Sequence, residues 1–444
     1  MATNDIREYV ETLAREAREA APRVAAVPAA DRGKALLAFA DRLAGSTKAL
    51  LKANAGDLKA ASKAGENEAF LDRLAWDDRR ISGMANGVRE VAALPDPIGE
   101  VIEAWTRPNG IRIEKVRVPL GVVAVIYESR PNVTAEAAAL CLRAGNVSIL
   151  RGGSESIRSN RALAALWEEA FAPFPSLSGA VRLVDKTSRE AVGALLKQDR
   201  FVDLVVPRGG ESLIRRVVEE STIPVIKHAK GVCHAYLHKG ADYAMAERIV
   251  VNGKVQRPGV CNALEKVLVD ADVAAKVLPP LCAKLKSLGV ELRGDEAACA
   301  LVPSMKPASP EDWDAEYLAL VLAVKVVPGL EAAVEHIRAH GSGHSEVIVT
   351  SDAAAAETFC RAVDAAAVFW NASTRLHDGG QFGMGAEIGI STDKIHARGP
   401  MGVKELTTYK FIVRGTGQIR EEGRFMNRPY NPFAFSTRAA VSWR

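Results

Sequence analysis

Between residues 121 and 226 the chain alternates short apolar runs with amphipathic stretches, and that rhythm constrains its fold more than any other feature. Runs at 121–127, 147–150, 181–184, 202–206 and 223–226 read as strands. Helical stretches lie between them at 134–143, stopped by Gly145, and at 155–171, 188–196 and 210–218. Strands apolar at successive positions must be covered on both faces, and strands joined through helices run parallel, so this text predicts a doubly wound sheet. A second βα series starts near Cys233, with strands at 264–269, 347–350 and 367–370, and predicts a second α/β domain.

The flanking text has other periods. Ile6, Val10, Leu13 and Ala17 share one helical face, and Leu36, Leu37, Phe39, Ala40 and Leu43 repeat the pattern after Asp31, so the first hundred residues read as packing helices. Residues 98–118 are β-rich and interrupted by Pro108-Asn109-Gly110, which predicts a hairpin. Its unpaired edges suit contact with another subunit.

At 444 residues two or three domains are expected, and 48% hydrophobic with 25% charged residues is a globular composition. The net charge of +4 comes from 58 basic and 54 acidic residues without a long single-sign block, which gives nucleic-acid binding no support. Cysteines at 141, 233, 261, 282, 299 and 360 form no CxxC pair, arguing against structural zinc and a disulfide framework and for a reducing cytoplasm. The first ten residues lack the apolar core of a signal peptide, and no run reaches the roughly 18 apolar residues of a membrane span. A cytoplasmic protein is expected.

Parallel sheets bind ligands beyond the carboxyl ends of their strands, so the chemistry should lie in loops. Two strands end in glycine-rich basic turns, Arg151-Gly152-Gly153-Ser154 and Arg208-Gly209-Gly210. Glycines let backbone N–H groups approach an anion, the next helix adds a favourable dipole, and arginine adds a forked donor. One such turn is as readily a plain βα connection; two favour a nucleotide. Gly383-Met384-Gly385 with Gly389 approaches the dinucleotide fingerprint but follows no suitable strand.

Gln256-Arg257-Pro258-Gly259-Val260-Cys261-Asn262-Ala263 lies between a helical run and a strand, so Cys261 sits in a loop where a thiol can be exposed. Arg257, or N–H groups after the glycine, would favour the nucleophilic thiolate. Most free cysteines are buried apolar residues, and the other five, in apolar text, take that reading.

Taken in order, several segments carry a resemblance. Pro119-Leu120-Gly121 before a hydrophobic strand, Arg130-Pro131-Asn132, Ala144-Gly145-Asn146, the cysteine loop and Trp370-Asn371-Ala372-Ser373 resemble the aldehyde dehydrogenase superfamily. Residues 127–134, 150–153, 256–263 and 378–408 resemble, within it, the glutamate-5-semialdehyde dehydrogenase family, over nearly the whole chain. The resemblance implies an aldehyde-dehydrogenase-like α/β fold of two doubly wound α/β domains plus a small β oligomerisation element. The cofactor domain would comprise 1–97 and 119–229, the catalytic domain 230–400, and the oligomerisation element 98–118 and 401–423, followed by a tail at 424–444.

The same resemblance implies NADPH-dependent reduction of L-glutamyl 5-phosphate to L-glutamate 5-semialdehyde and phosphate, the second step of proline synthesis from glutamate. It also implies a homo-oligomer, dimer or tetramer, and leaves room for handover from glutamate 5-kinase. Cys261 would form the thioester, and Asn132 would steady the oxyanion with the Cys261 N–H. Arg151, Gly152, Gly153, Ser154, Arg208, Gly209 and Gly210 would hold NADP(H), with Glu316 on the nicotinamide ribose. Ser154 falls where NAD-preferring relatives keep a glutamate, so a 2′-phosphate would meet less repulsion. Arg130, Ser373, Arg375 and His377 would surround the acyl pocket, with a structural ion pair an equal reading for Arg375.

Aldehyde oxidisers carry a water-activating glutamate ahead of the cysteine loop, where this chain has Ile226-Lys227-His228-Ala229-Lys230-Gly231; its absence favours a thioester kept for hydride. His336, His340 and His344 have metal-like spacing, but Gly341 and Gly343 break the helix, and no metal is expected. Other readings are a related dehydrogenase for a different carbon chain, a cysteine hydrolase using His228 or His234, and a noncatalytic nucleotide-binding scaffold.

Overall fold

The computed structural model describes residues 3–128, 130–227 and 230–419. Ser129, His228, Ala229 and the 424–444 tail therefore lie outside the described residues, as do the last four positions of the expected oligomerisation element.

Five helices open the chain: α1 (Thr3–Ala25), α2 (Ala29–Gly45), α3 (Thr47–Lys63), α4 (Glu68–Leu74) and α5 (Asp78–Ala93). Asp77 starts α5 by accepting the Arg80 N–H at 2.6 Å, satisfying a donor that the first helical turn leaves unpaired. Along α2, Ala35, Leu36, Phe39, Ala40 and Leu43 are buried, whereas Leu37, one residue further round the helix, is 44% exposed. Phe39 stacks on Trp167 with centroids 3.5 Å apart and planes 8° from parallel. Both side chains are fully buried, so Phe39→Ala is expected to cost ~3–5 kcal/mol, read as a lower denaturant midpoint at unchanged slope.

The next strands are β1 (Val101–Thr106), β2 (Arg112–Pro119), β3 (Val122–Tyr127), β4 (Val147–Arg151), β5 (Val181–Leu183) and β6 (Leu204–Arg208). The last four form a parallel sheet in the order β5-β4-β3-β6. Every residue of β3 and β4 is buried, as their continuous apolar text requires when helices cover both faces. The connecting helices are α6 (Val133–Arg143), α7 (Ile157–Phe171), α8 (Arg189–Leu195) and α9 (Glu211–Glu220). The strand expected at 223–226 is reduced to a single bridge between Val205 and Val225. Pro224 accepts from Val205 N at 2.9 Å but has no N–H to extend the ladder. Asn146 ties this layer together: its side chain accepts from Gly121 N at 2.9 Å and donates to Leu406 O at 2.7 Å, so the Ala144-Gly145-Asn146 motif is structural.

Seven further parallel strands follow: β7 (Cys233–Leu237), β8 (Leu264–Asp270), β9 (Glu291–Gly294), β10 (Lys306–Pro307), β11 (Val321–Val327), β12 (Ser345–Val349) and β13 (Ala367–Trp370). Their order is β10-β9-β11-β8-β7-β12-β13. Cys233, Ala235 and Leu237 face one apolar core while Tyr236 faces a second, the two-sided burial of a doubly wound sheet. The short strands β9 and β10 and the longer β11 were not anticipated; β9 reads Glu-Leu-Arg-Gly, with too few apolar residues to signal a strand.

Two short strands, β14 (Ile390–Ser391) and β15 (Gly399–Pro400), precede β16 (Thr407–Arg414). Met401, Val403 and Leu406 join the core around β3–β6, and the second compact unit comprises 99–117 with residues from Tyr409 onward. Its sheet has the order β1-β2-β16, with Val101, Ile102, Tyr409, Phe411 and Val413 exposed. Among the described residues no helix is long and apolar enough to cross a membrane.

Candidate active site

The helix α10 (Tyr243–Val255) ends just before the cysteine loop, and β8 begins at Leu264. Residues 256–263 must therefore turn sharply, and Ala263 N closes the turn on Val260 O at 3.0 Å. The loop is braced from below. The buried Cys233 thiol donates to Cys261 O at 3.2 Å, and a Cβ on Gly231 would come within 1.9 Å of that same oxygen. Asn262, also buried, donates to His377 O at 3.0 Å and accepts on its own carbonyl from Thr374 Oγ1 at 2.7 Å. Arg375 spans the loop, bonding to Gln256 Oε1 at 2.9 Å and to the Asn262 side-chain oxygen.

Residues expected in the acyl pocket therefore divide. Arg375 braces both ends of the nucleophile loop by hydrogen bonds to two amide oxygens. His377 is fully buried and its Nδ1 lies 2.8 Å from Ser345 Oγ, while burial lowers its pKa to about 4 and leaves the ring neutral at pH 7. Ser373 accepts from Arg375 N at 3.3 Å as a cap. Arg130 is exposed, with its carbonyl accepting from Val133 N at 3.0 Å where α6 begins. Asn132 is half-buried there and donates to Glu136 Oε1 at 3.0 Å, one helical turn on.

Cys261 is partly exposed, and loss of water around the sulfur pushes its thiol pKa up to about 11. The strongest opposing influence is Arg208, not Arg257; Glu316 and Glu387 push the value up further. Sequence placed no acid immediately ahead of the cysteine loop, yet folding brings these two carboxylates from distant segments. Glu316 accepts from Gly231 N at 2.9 Å and Glu387 from Gly379 N at 2.9 Å, and burial raises both of their pKa values. A raised thiol pKa keeps the proton on sulfur at neutral pH, so alkylation of Cys261 by iodoacetamide should climb about tenfold per pH unit from 7 towards 10. A plateau already at pH 8.5 would contradict this electrostatic balance.

The two glycine turns also differ. Arg151 is buried and donates to Gly152 O at 2.9 Å and Thr187 O at 2.8 Å, with Ser188 O at 3.3 Å. Gly152 allows close packing, since a Cβ there would lie 2.1 Å from Asn160 Nδ2. Ser154 is exposed, but the neighbouring Glu155 carboxylate lies only 2.0 Å from where a Gly153 Cβ would be. The loss of an acid at 154 is thus partly offset by its neighbour, which weakens the case for a 2′-phosphate. At the second turn Glu128, leaving β3, accepts from Gly210 N at 3.1 Å and donates its own N–H to Arg208 O at 3.1 Å. That turn lies where strand order reverses between β3 and β6, the crevice in which doubly wound sheets take ligands.

Other expectations resolve locally. Cys141, Cys233 and Cys282 are buried, whereas Cys299 and Cys360 are partly exposed. Of the three histidines, His336 Nδ1 lies 3.4 Å from Lys325 Nζ, His340 pairs with Asp314 at 2.8 Å and His344 contacts Ser345 Oγ at 2.7 Å. Cys233, Glu136 and Glu387 carry no signal in the sequence, each sitting in ordinary apolar or mixed text. The fold sets Cys233 under the loop, brings the charge of Glu387 to bear on its sulfur, and places Glu136 against Asn132.

A profile of the aldehyde dehydrogenase family matches residues 2–312. A gamma-glutamyl phosphate reductase of Geobacter metallireducens is 54% identical over 416 residues, covering 94% of this chain and all of the relative. The crystal structure of a gamma-glutamyl phosphate reductase from Thermotoga maritima superposes with a TM-score of 0.91 at 43% identity, covering 93% of this chain and 100% of that one. An engineered glycolyl-CoA reductase with bound NADP+, 16% identical, has a TM-score of 0.64, covers 91% of this chain and 96% of its own, and shares the fold.

Proposed function

The chain belongs to the aldehyde dehydrogenase family, among the gamma-glutamyl phosphate reductases, and from that membership we propose that it reduces L-glutamyl 5-phosphate to L-glutamate 5-semialdehyde through a thioester on Cys261. The observation that carries this reading is a partly exposed cysteine whose loop is held at both ends and spanned by the Arg375 guanidinium. Its sulfur attacks the acyl carbon, the C–O bond to phosphate breaks, and the thiol proton leaves on the phosphate. Asn132, oriented by Glu136, and the Cys261 N–H are assigned to the developing oxyanion. The thioester carbon then accepts hydride, the C–S bond breaks, and sulfur regains a proton from solvent.

The glycine turn at the carboxyl end of β4, the exposed Ser154 and the helix behind that turn suit a nicotinamide dinucleotide. Such a cofactor, NAD(P)H, supplies the hydride. We assign its binding to Gly152, Gly153 and Ser154, with Arg151 bracing that turn through main-chain carbonyls, Gly209 and Gly210 lining the crevice without taking a phosphate, and Glu316 towards the nicotinamide ribose. Glu316 uses one carboxylate oxygen on Gly231 N, leaving the other for a hydroxyl. The four-stranded sheet is assigned to the cofactor and the seven-stranded sheet to the cysteine. NADP(H) is the form proposed on the family likeness, with Glu155 its chief opponent. The exposed apolar residues of β1 and β16 are assigned to contact with a second copy.

The reverse reaction tests the proposal. Glutamate semialdehyde should reduce NADP+ only when inorganic phosphate is present, with activity falling at least about tenfold in its absence. Equal oxidation without phosphate would identify a hydrolytic aldehyde dehydrogenase, and turnover without nicotinamide a cysteine hydrolase.

A further inference from the structure

We propose that Arg208 receives the phosphate of the acyl phosphate at Cys261, and is not a ligand of the cofactor phosphates. This rests on the acyl-phosphate reading above and names one of its binding groups. Arg208 ends β6 in register with Tyr127 of β3, so its side chain leaves the sheet at the switch-point crevice. Its main chain and the following turn are already closed by Glu128, whose carboxylate would lie 2.5 Å from a Cβ on Gly209. An anion at that turn would have to displace Glu128.

The guanidinium goes elsewhere. It lies over Gly389, where a Cβ would come 2.9 Å from Nη1 and 3.5 Å from Cζ. Gly389 has no positive φ, so its bareness here serves close approach and not backbone conformation. Among the described residues this half-buried guanidinium makes no hydrogen bond or ion pair, in contrast to Arg151 and Arg375. A forked cation with five N–H donors and no protein partner is placed for a ligand anion.

The identity of the anion follows from position. Gly389 lies two residues from Glu387, which accepts from Gly379 N, and His377, two residues before that glycine, takes the Asn262 side chain on its carbonyl. The segment under Arg208 is therefore the one that holds the cysteine loop, and the anion Arg208 meets belongs beside the carbon that sulfur attacks. In glutamyl phosphate that neighbour is the dianionic phosphate; the α-carboxylate is three carbons further away. As the S–C bond forms and the C–O bond breaks, the electron pair passes to the phosphate oxygen, which takes the thiol proton. Arg208 meets the charge that develops there.

The test is the reverse assay on Arg208→Gln and Arg208→Lys, with KM measured separately for phosphate, semialdehyde and NADP+. The expected result is a phosphate KM raised about tenfold or more in R208Q, with the other two within about threefold of the unaltered chain. A phosphate KM within threefold overturns the proposal. So does a rise confined to semialdehyde, which would place Arg208 on the α-carboxylate, or to NADP+, which would return it to the cofactor. If R208Q does not fold, R208K, which keeps the alkyl stem over Gly389, decides by the same three constants, because an ammonium cannot reproduce the forked contact. If the unaltered chain needs no phosphate, the reading of the reaction falls; if it does and the variants need no more, only Arg208 is wrong.

Discussion

Cys261→Ser is expected to lower kcat for reduction at least about a thousandfold while leaving cofactor affinity within about threefold. Serine is nearly isosteric, so the loop and its hydrogen bonds should persist. Its hydroxyl is far less acidic than a thiol, even one whose pKa has been pushed up to about 11, and an oxygen ester would be a poorer acceptor of hydride. Steady-state reduction and a cofactor-binding titration on the same preparation separate lost chemistry from lost folding. Retention of a tenth of the activity would remove Cys261 from the mechanism.

The second large effect should come from a residue that touches no substrate. Gly231→Ala is expected to lower kcat about a hundredfold, because a misplacement near 1 Å of a reacting group has that cost. The added Cβ would sit 1.9 Å from Cys261 O, 2.6 Å from its carbonyl carbon and 2.7 Å from its Cα. All three are main-chain atoms, which cannot swing aside as a side chain can. Gly231 has no positive φ, so alanine is acceptable to its own backbone and the effect is steric. Gly45→Ala, with nothing within 4 Å of its Cβ, is the control and should leave kcat unchanged. Unaltered kcat in G231A would mean that the loop tolerates displacement.

The two parallel sheets were legible because continuous apolar runs between helical stretches admit few other folds, and the cysteine loop because its motif is long. The strand at 223–226 failed at a single atom, the N–H that Pro224 lacks. Arg151 and Arg208 occupy equivalent turns in the text, so sequence gave them one role. The fold turns one guanidinium back onto main-chain carbonyls and sends the other over Gly389. Cys233 was read as an inert core thiol, and it is fully buried, but it also holds the Cys261 carbonyl. That role depends on a contact across 28 residues, which no local pattern encodes. Glu316 and Glu387 act on the sulfur as charges from 55 and 126 positions further along the chain, so the stretch just before the loop carries no sign of them.

The central claim is that the acyl group rests on Cys261. Its most direct test mixes the protein with semialdehyde and NADP+ in phosphate-free buffer, quenches in acid, and maps the modified peptide by mass spectrometry. The account predicts a glutamyl adduct on the peptide carrying Cys261, lost when phosphate is added before the quench. An adduct on another residue, or NADP+ reduced in the first turnover with no acylated peptide at any quench time, would contradict it.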